Sequence, residues 1–350
     1  MSSKTNGAKL MIAAYLGDRS THMLREEDVM KLTHINYAFA HVKDGEVTGS
    51  HLKNIGRLNE LKALNPDLKT VISIGGWGAG GFSEAASTPE SRKKFADTAV
   101  ELMLRNNFDG IDIDWEYPCS SLAGIASSPD DKQNFTLMLA EIREKLDLVG
   151  RESGKHYMLN IAAGAGQYFL DGTEMDKAQQ YLDYVNLMTY DMRGSFQNTT
   201  GHHTNLYDQT GDPDGISGER AVNMFVEAGV PVEKIVLGAA FYARVWKGVE
   251  NAGTGLNRKA QTTGCHTIDY TGLLESYINK NGYTRYWDDL AKAPYLFNGD
   301  TFISYDDEES LTYKAEFIKN RGLAGIMFWE YPLDSSYTLV DRLYKEINCK

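Results

Sequence analysis

Asp112, Asp114 and Glu116 carry the strongest chemical signal in this chain, within the run Phe108 to Pro118 that reads Phe-Asp-Gly-Ile-Asp-Ile-Asp-Trp-Glu-Tyr-Pro. They alternate with Ile113 and Trp115, and a period of two marks a β-strand rather than a helix. All three carboxylates therefore leave one face, with Ile111, Ile113 and Trp115 on the other. A strand rises by roughly 3.4 Å per residue, so successive carboxylates start about 7 Å apart. Where water is scarce, three carboxylates at that spacing cannot all ionise cheaply, and at least one proton is shared or retained. A carboxyl that keeps its proton at neutral pH is what protonation of a departing glycosidic oxygen requires. Glu116, last on the strand and nearest its C-terminal mouth, is the candidate acid. A lone Asp-x-Asp would read more readily as a metal ligand pair or a helix cap. Asp109, Asp112, Asp114 and Glu116 together, followed by Tyr117-Pro118, fit a reaction site better than a solvated face.

Such a strand needs neighbours to bury it, and the chain supplies them in alternation. Strands are predicted at Lys9 to Leu16, His34 to Val42, Lys69 to Ile74, His156 to Ala163, Tyr184 to Tyr190, Lys234 to Phe241 and Gly325 to Trp329. Between them fall helical patterns at Glu26 to Leu32, Leu52 to Leu64, Glu90 to Asn106, Asp130 to Val149, Met175 to Leu182, Gly218 to Ala228 and Ser310 to Asn320. With the acidic strand the strands number eight, which closes a TIM (β/α)8 barrel and places chemistry at the C-terminal strand ends. From Arg244 to Tyr305 the alternation fails, and Gly, Thr, Asn and aromatics are mixed with short strand-like runs. A structureless loop of that length is rare in a compact domain. The expected organisation is a catalytic barrel from residues 1–244 and 305–350, with 245–304 inserted between strands seven and eight as a small α+β subdomain.

The other strand ends carry further candidates. Ser73-Ile74-Gly75-Gly76-Trp77 ends the third strand, where paired glycines let the backbone pass close to a ligand or another strand, or simply turn tightly. In Met188-Thr189-Tyr190-Asp191, Met188 and Tyr190 share the inward parity, so Tyr190 either fills the core or turns its hydroxyl toward the carboxylates. In Phe241-Tyr242-Ala243-Arg244, Arg244 is either a substrate contact or a structural ion pair. Met327-Phe328-Trp329-Glu330 ends the last strand, and an indole there is either core or a flat apolar face for a pyranose ring. Trp77 and Trp246 are further stacking candidates, while Trp115, of outward parity, is expected between barrel and helices.

Composition excludes several classes. Of 350 residues, 42% are hydrophobic and 24% charged, which is ordinary for a soluble globular chain. A net charge of −12 argues against nucleic acid as a partner and not against a neutral polysaccharide. Cys119, Cys265 and Cys349 are too few and too scattered for a disulfide framework or a zinc site, and no His stands beside Cys119 to activate its thiol. No run approaches the ~18 apolar residues of a membrane span, and Met1 to Lys9 lacks a signal-peptide core. The compartment is therefore cytoplasmic if Met1 is native and extracellular if a signal was removed.

The acidic strand resembles the signature of glycoside hydrolase family 18, the retaining chitinases and their relatives, in which the final Glu is the catalytic acid. The other strand-end motifs are similar to the family's as well, in the same order along essentially the whole chain. The resemblance implies that Ser73, with Gly75 and Gly76 in its Ser-x-Gly-Gly motif, supports Asp112, and that Tyr15 does the same. It implies that Tyr190 hydrogen-bonds the substrate's N-acetyl carbonyl, that Asp191 contacts the reacting sugar, and that Trp329 floors the subsite of the distorted ring. Tyr242 and Arg244 carry over as substrate contacts, although Ala239-Ala240 stands where Pro is usual and Ala243 replaces Gly. Met188, Trp77, Tyr15 and Phe39 complete the expected binding set.

By this resemblance the chain is expected to hydrolyse β-1,4 links in chitin or chito-oligosaccharides with retention. Glu116 would act as acid and then base, and the substrate's acetamido oxygen would be the nucleophile. Asp114 would hold the acetamido N–H, and Asp112 would share Asp114's proton. An endo-β-N-acetylglucosaminidase cutting N-glycans and a non-catalytic chitinase-like lectin are the alternatives. The inserted segment argues against the first, and the presence of Glu116, Asp114 and Tyr190 against the second. Phe196, in the loop Arg193 to Thr204, stands where Trp is common in the family. No cofactor or metal is expected: Asp212-Pro213-Asp214-Gly215 has its Gly misplaced for a calcium loop, and His202-His203 is a lone pair in a Gly/Thr/Asn-rich loop. A monomer without a membrane partner is the expectation.

Overall fold

The computed structural model describes residues 9–209, 211–212 and 215–348. Cys349, Pro213, Asp214 and, apart from Lys9, the polar stretch from Met1 lie outside the described residues. Eight parallel strands form a closed ring: Met11–Gly17, His34–Lys43, Lys69–Gly75, Gly110–Asp114, Met158–Gly164, Tyr184–Met188, Ile235–Ala240 and Gly325–Trp329, the last pairing back to the first. A strand covered on both faces must be apolar along its length, and these are. Asn36, Thr70 and Asn160 are buried polar exceptions, and so are Ser73, Asp112, Asp114 and Asn186, which meet at the site.

The surrounding helices show why they start where they do. Pro89–Arg105 is opened by Thr88, whose hydroxyl accepts the Ser91 N–H at 3.1 Å while the Ser91 hydroxyl accepts the Thr88 N–H at 3.0 Å. Such a reciprocal cap contributes about 1 kcal/mol. Trp115 points outward as expected, stacked on Phe82 at 5.4 Å and edge-on to Phe135 at 5.9 Å. Among the described residues no helix is long and apolar enough to cross a membrane.

A second, antiparallel sheet has the order His266–Asp269, Tyr242–Trp246, Phe302–Ser304, Ala293–Phe297, Thr284–Asp288, with the helix Tyr270–Ser276 beside it. It starts inside the motif expected to end the seventh barrel strand. That strand stops at Ala240, whose N–H donates to the Asp306 carboxylate at 3.1 Å, and the Phe241 N–H then turns to the Trp329 carbonyl at 2.9 Å. Tyr242 pairs with Asp269, and Arg244 lies between Thr267 and Ser304. Trp246, a sequence candidate for sugar stacking, is instead completely buried in the core of this sheet with Val249, Tyr295, Phe297 and Phe302. Its indole N–H donates to the Gln197 carbonyl at 2.9 Å, so both its face and its polar edge are occupied.

The helix Glu308–Arg321 is tied to the barrel by a buried cation. Lys314 Nζ lies 2.6 Å from Asp306 Oδ2 and 2.7 Å from Thr204 Oγ1. Thr204 also lies 3.1 Å from the Thr189 carbonyl, so one ion pair braces the end of the sixth strand and the loop beyond it. Burial pushes the Lys314 ammonium below its usual value, and Asp306 opposes that shift.

Candidate active site

The fourth strand places Asp112 and Asp114 on the barrel interior, and its register sets Ser73 opposite Asp112 and Gly75 opposite Asp114. Asp112 is fully buried and accepts three donors: Ser73 Oγ at 2.7 Å, the Tyr15 hydroxyl at 2.9 Å and Asn186 Nδ2 at 3.1 Å. Burial still raises its carboxyl above the ordinary value, while those three donors pull it back. No hydrogen bond joins Asp112 to Asp114 among the described residues, and Asp114 Oδ1 is buried without a partner. Burial, then the charges of Glu116 and Asp112, push Asp114 well above the usual carboxylate range. Asp114 is thus the carboxyl that burial and its neighbours push harder toward keeping a proton, while three donors oppose the same push on Asp112.

Gly75 and Gly76 make the strand end possible. The Gly76 N–H takes the Asp114 carbonyl at 2.9 Å, and a Cβ on Gly75 would stand 2.0 Å from that same oxygen. Both glycines have positive φ, and a Cβ on Gly76 would stand 2.8 Å from the Phe39 ring.

The strand ends at Asp114, so Glu116 lies beyond it on the turn that leaves the barrel. Only 9% of Glu116 is exposed. Burial pushes its carboxyl up to about 7, Tyr117 opposes that shift and the Asp191 charge adds to it. A group half-protonated near neutrality is matched to both acid and base work.

Tyr190, past the end of Tyr184–Met188, has its hydroxyl 3.8 Å from Met327 Sδ and its ring edge-on to Tyr242 at 6.2 Å. Asp191 follows with positive φ. Arg244 Nε and Nη2 each reach an Asp191 carboxylate oxygen at 2.5 Å. Burial raises the Asp191 carboxyl, but hydrogen bonds from His203 and Arg244 and the Arg244 charge outweigh it and hold it well below the usual range.

The remaining predicted residues divide between floor and rim. The Trp329 ring stacks on Phe39 at 5.5 Å and tilts against Tyr15 at 5.7 Å. Met188 is buried beside the inner wall. Trp77 is on the rim, 55% exposed, with its ring 6.4 Å from both Tyr117 and Phe196. Asp109, the first acid of the pattern, stands at the far end of the strand, where its carboxylate pairs with Lys62 at 2.6 Å and takes no part.

Several neighbours escaped the sequence. His203 is completely buried, with Nδ1 3.6 Å from Asp191 Oδ1 and its ring 5.3 Å from Tyr242. Its partner in sequence, His202, faces the other way and bonds Asp288 Oδ2 at 3.0 Å. Tyr168 lies against Tyr117 at 5.1 Å. The Gly164-x-Gly166 pair just before it was the available signal, because a Cβ at either glycine would meet the Tyr168 ring. Among the described residues no group of three or more His, Cys, Asp or Glu is placed to hold a metal ion.

A barrel mouth with a carboxyl raised to about 7, a second raised carboxyl beside it and an indole is the arrangement expected of a glycoside hydrolase of the (β/α)8 class. The family model for glycosyl hydrolases family 18 matches residues 11–334, and the chain belongs to that family. Chitinase A1 of Niallia circulans is 44% identical over 311 residues, covering 84% of this chain and 44% of its own length. The chain thus spans less than half of that relative. Chitotriosidase-1 of Mus musculus is 32% identical over 93% of this chain and 74% of its own. The solved structure of a family 18 N-acetylglucosaminidase from Paenibacillus barengoltzii superposes with a TM-score of 0.95 at 55% identity, covering 96% of this chain and 99% of that one.

Proposed function

We propose that the chain hydrolyses β-1,4 links between N-acetylglucosamine units of chitin or chito-oligosaccharides, with retention and with the substrate's acetamido group as nucleophile. The observation that carries this reading is the buried Glu116 carboxyl, raised to about 7 at the barrel mouth beside Asp114, whose carboxyl is itself pushed well above the usual range. Glu116 donates its proton to the glycosidic oxygen as the acetamido oxygen closes on the anomeric carbon, then takes a proton from the incoming water. Asp114, with one oxygen unpartnered, turns to the acetamido N–H and steadies the positive ring that forms. Asp112 lies beneath it, held in place by Ser73, Tyr15 and Asn186. Tyr190 hydrogen-bonds the acetamido oxygen, Trp329 floors the reacting sugar with Phe39 behind it, and Met188 fills the wall. Asp191, Tyr242 and Arg244 contact the sugar from the side, and Trp77 offers a face to the leaving part of the chain.

Release of single N-acetylglucosamine units is a second reading, favoured by the likeness to the Paenibacillus N-acetylglucosaminidase over nearly the full length of both chains. The N-glycan endoglycosidase and the lectin are not favoured, since the relatives are named as a chitinase, a chitotriosidase and an N-acetylglucosaminidase. Mass spectrometry of products from chitohexaose, with an N-glycopeptide in parallel, tests the assignment on wild type and Glu116→Gln. Cleavage of chitohexaose by wild type alone is expected. Cleavage of only the glycopeptide, or of neither substrate, would overturn it.

A further inference from the structure

Glu330 is a carboxylate that the reaction above does not use. It follows Trp329 at the end of the last barrel strand and is only partly exposed. Its Oε2 stands 3.6 Å from where a Cβ on Gly17 would be, so the carboxylate lies against the Gly17 backbone at the end of the first strand. None of the ion pairs among the described residues includes it. A carboxylate withdrawn from water without a cation is costly to keep, and its remaining acceptor capacity is open to an O–H donor.

Its place in the ring says which donor. Around the barrel, Gly325–Trp329 and Gly110–Asp114 are four strands apart in either direction, so their ends face each other across the mouth. Glu116 addresses the oxygen on C1 of the reacting sugar. C4 is the opposite corner of a pyranose, so a ring lying over Trp329 with C1 toward Glu116 turns its C4 side to the rim where Glu330 and Gly17 stand. In a terminal sugar that position carries a hydroxyl, which donates. In an interior sugar it carries an ether oxygen, which cannot.

We propose that Glu330 is a specificity-determining residue that accepts a hydrogen bond from the free 4-hydroxyl of a non-reducing terminal N-acetylglucosamine and so favours cleavage of the terminal unit. The proposal rests on the hydrolytic reading above. Gly17, lacking a side chain, leaves the carboxylate room at the rim.

The test compares 4-nitrophenyl N-acetylglucosaminide with 4-nitrophenyl chitobioside, using wild type, Glu330→Gln and Glu330→Asp. Glu330→Gln should lower kcat/KM on the monosaccharide substrate about tenfold, as expected for loss of one charge-assisted hydrogen bond, and on the disaccharide substrate less than about twofold. Glu330→Asp should recover part of the loss. A 4-deoxy analogue of the monosaccharide substrate should be poor for wild type and no poorer for Glu330→Gln. An equal fall on both substrates, no fall on either, or a 4-deoxy penalty that persists in the variant would overturn the proposal. Wild type that cleaves neither substrate, nor chitohexaose, would overturn the hydrolytic reading instead.

Discussion

Arg244 holds both carboxylate oxygens of Asp191 at 2.5 Å, reaching from a strand of the small sheet to a loop of the barrel. The pair links the two sheets at the site, and it also neutralises the charge that Glu116 feels from Asp191.

Replacing Arg244 should therefore move the pH profile as well as the affinity. The Asp191 charge raises the Glu116 carboxyl, and Arg244 offsets that charge. In Arg244→Gln the basic limb of kcat/KM, set by loss of the Glu116 proton, should shift upward from about 7. In Asp191→Asn it should shift downward. Shifts of a few tenths of a pH unit to about one are expected, measured as pH–rate profiles. Shifts in the same direction would contradict the coupling.

Glu116→Gln should lower kcat by at least about a thousandfold and leave the fold intact. The same substitution has a sign-determined effect on stability. Below the ordinary carboxylate value both folded and unfolded chains hold the proton, and the variant gains little. Between that value and about 7 only the folded chain holds it, so wild type loses stability as pH rises. Thermal melts at pH 5 and pH 8 should show the variant gaining on wild type at the higher pH. A gain at the lower pH only would reverse the assignment.

Asp114→Asn should cost more in rate than in binding, because its unpartnered oxygen matters most as the acetamido group closes. A fall in kcat of about a hundredfold with KM changed less than about threefold is expected from steady-state kinetics on chitotetraose. An unchanged kcat would contradict the orienting role.

Lys314→Met should destabilise by roughly 3–5 kcal/mol, because Asp306 is left buried without its cation. Adding Asp306→Asn should recover part of that loss in denaturant melts. An additive pair of losses would show that the two residues do not act together.

The acidic strand was legible because its period of two and its density of carboxylates are local properties. The eight barrel strands were legible for the same reason, since each is a short run of buried residues between helical patterns. Partnerships between distant segments were not. Nothing near Asp191 in sequence marks His203 as lying against it, because that contact depends on how the loop folds back beneath Tyr242. Trp246 was misread for a related reason: an indole in a loop-like stretch says nothing of whether a second sheet will bury it. Lys314, an ordinary helical lysine in sequence, is buried only because Asp306 and Thr204 converge on it from two other elements.

Only Phe241 separates the last residue of the seventh barrel strand from the first strand of the small sheet, and its ring is stacked on Phe328 at 4.1 Å. A wall joined so tightly has no hinge residues at that junction to absorb a rotation. At this link, then, the small sheet is expected to keep its place against the barrel rather than swing away from it.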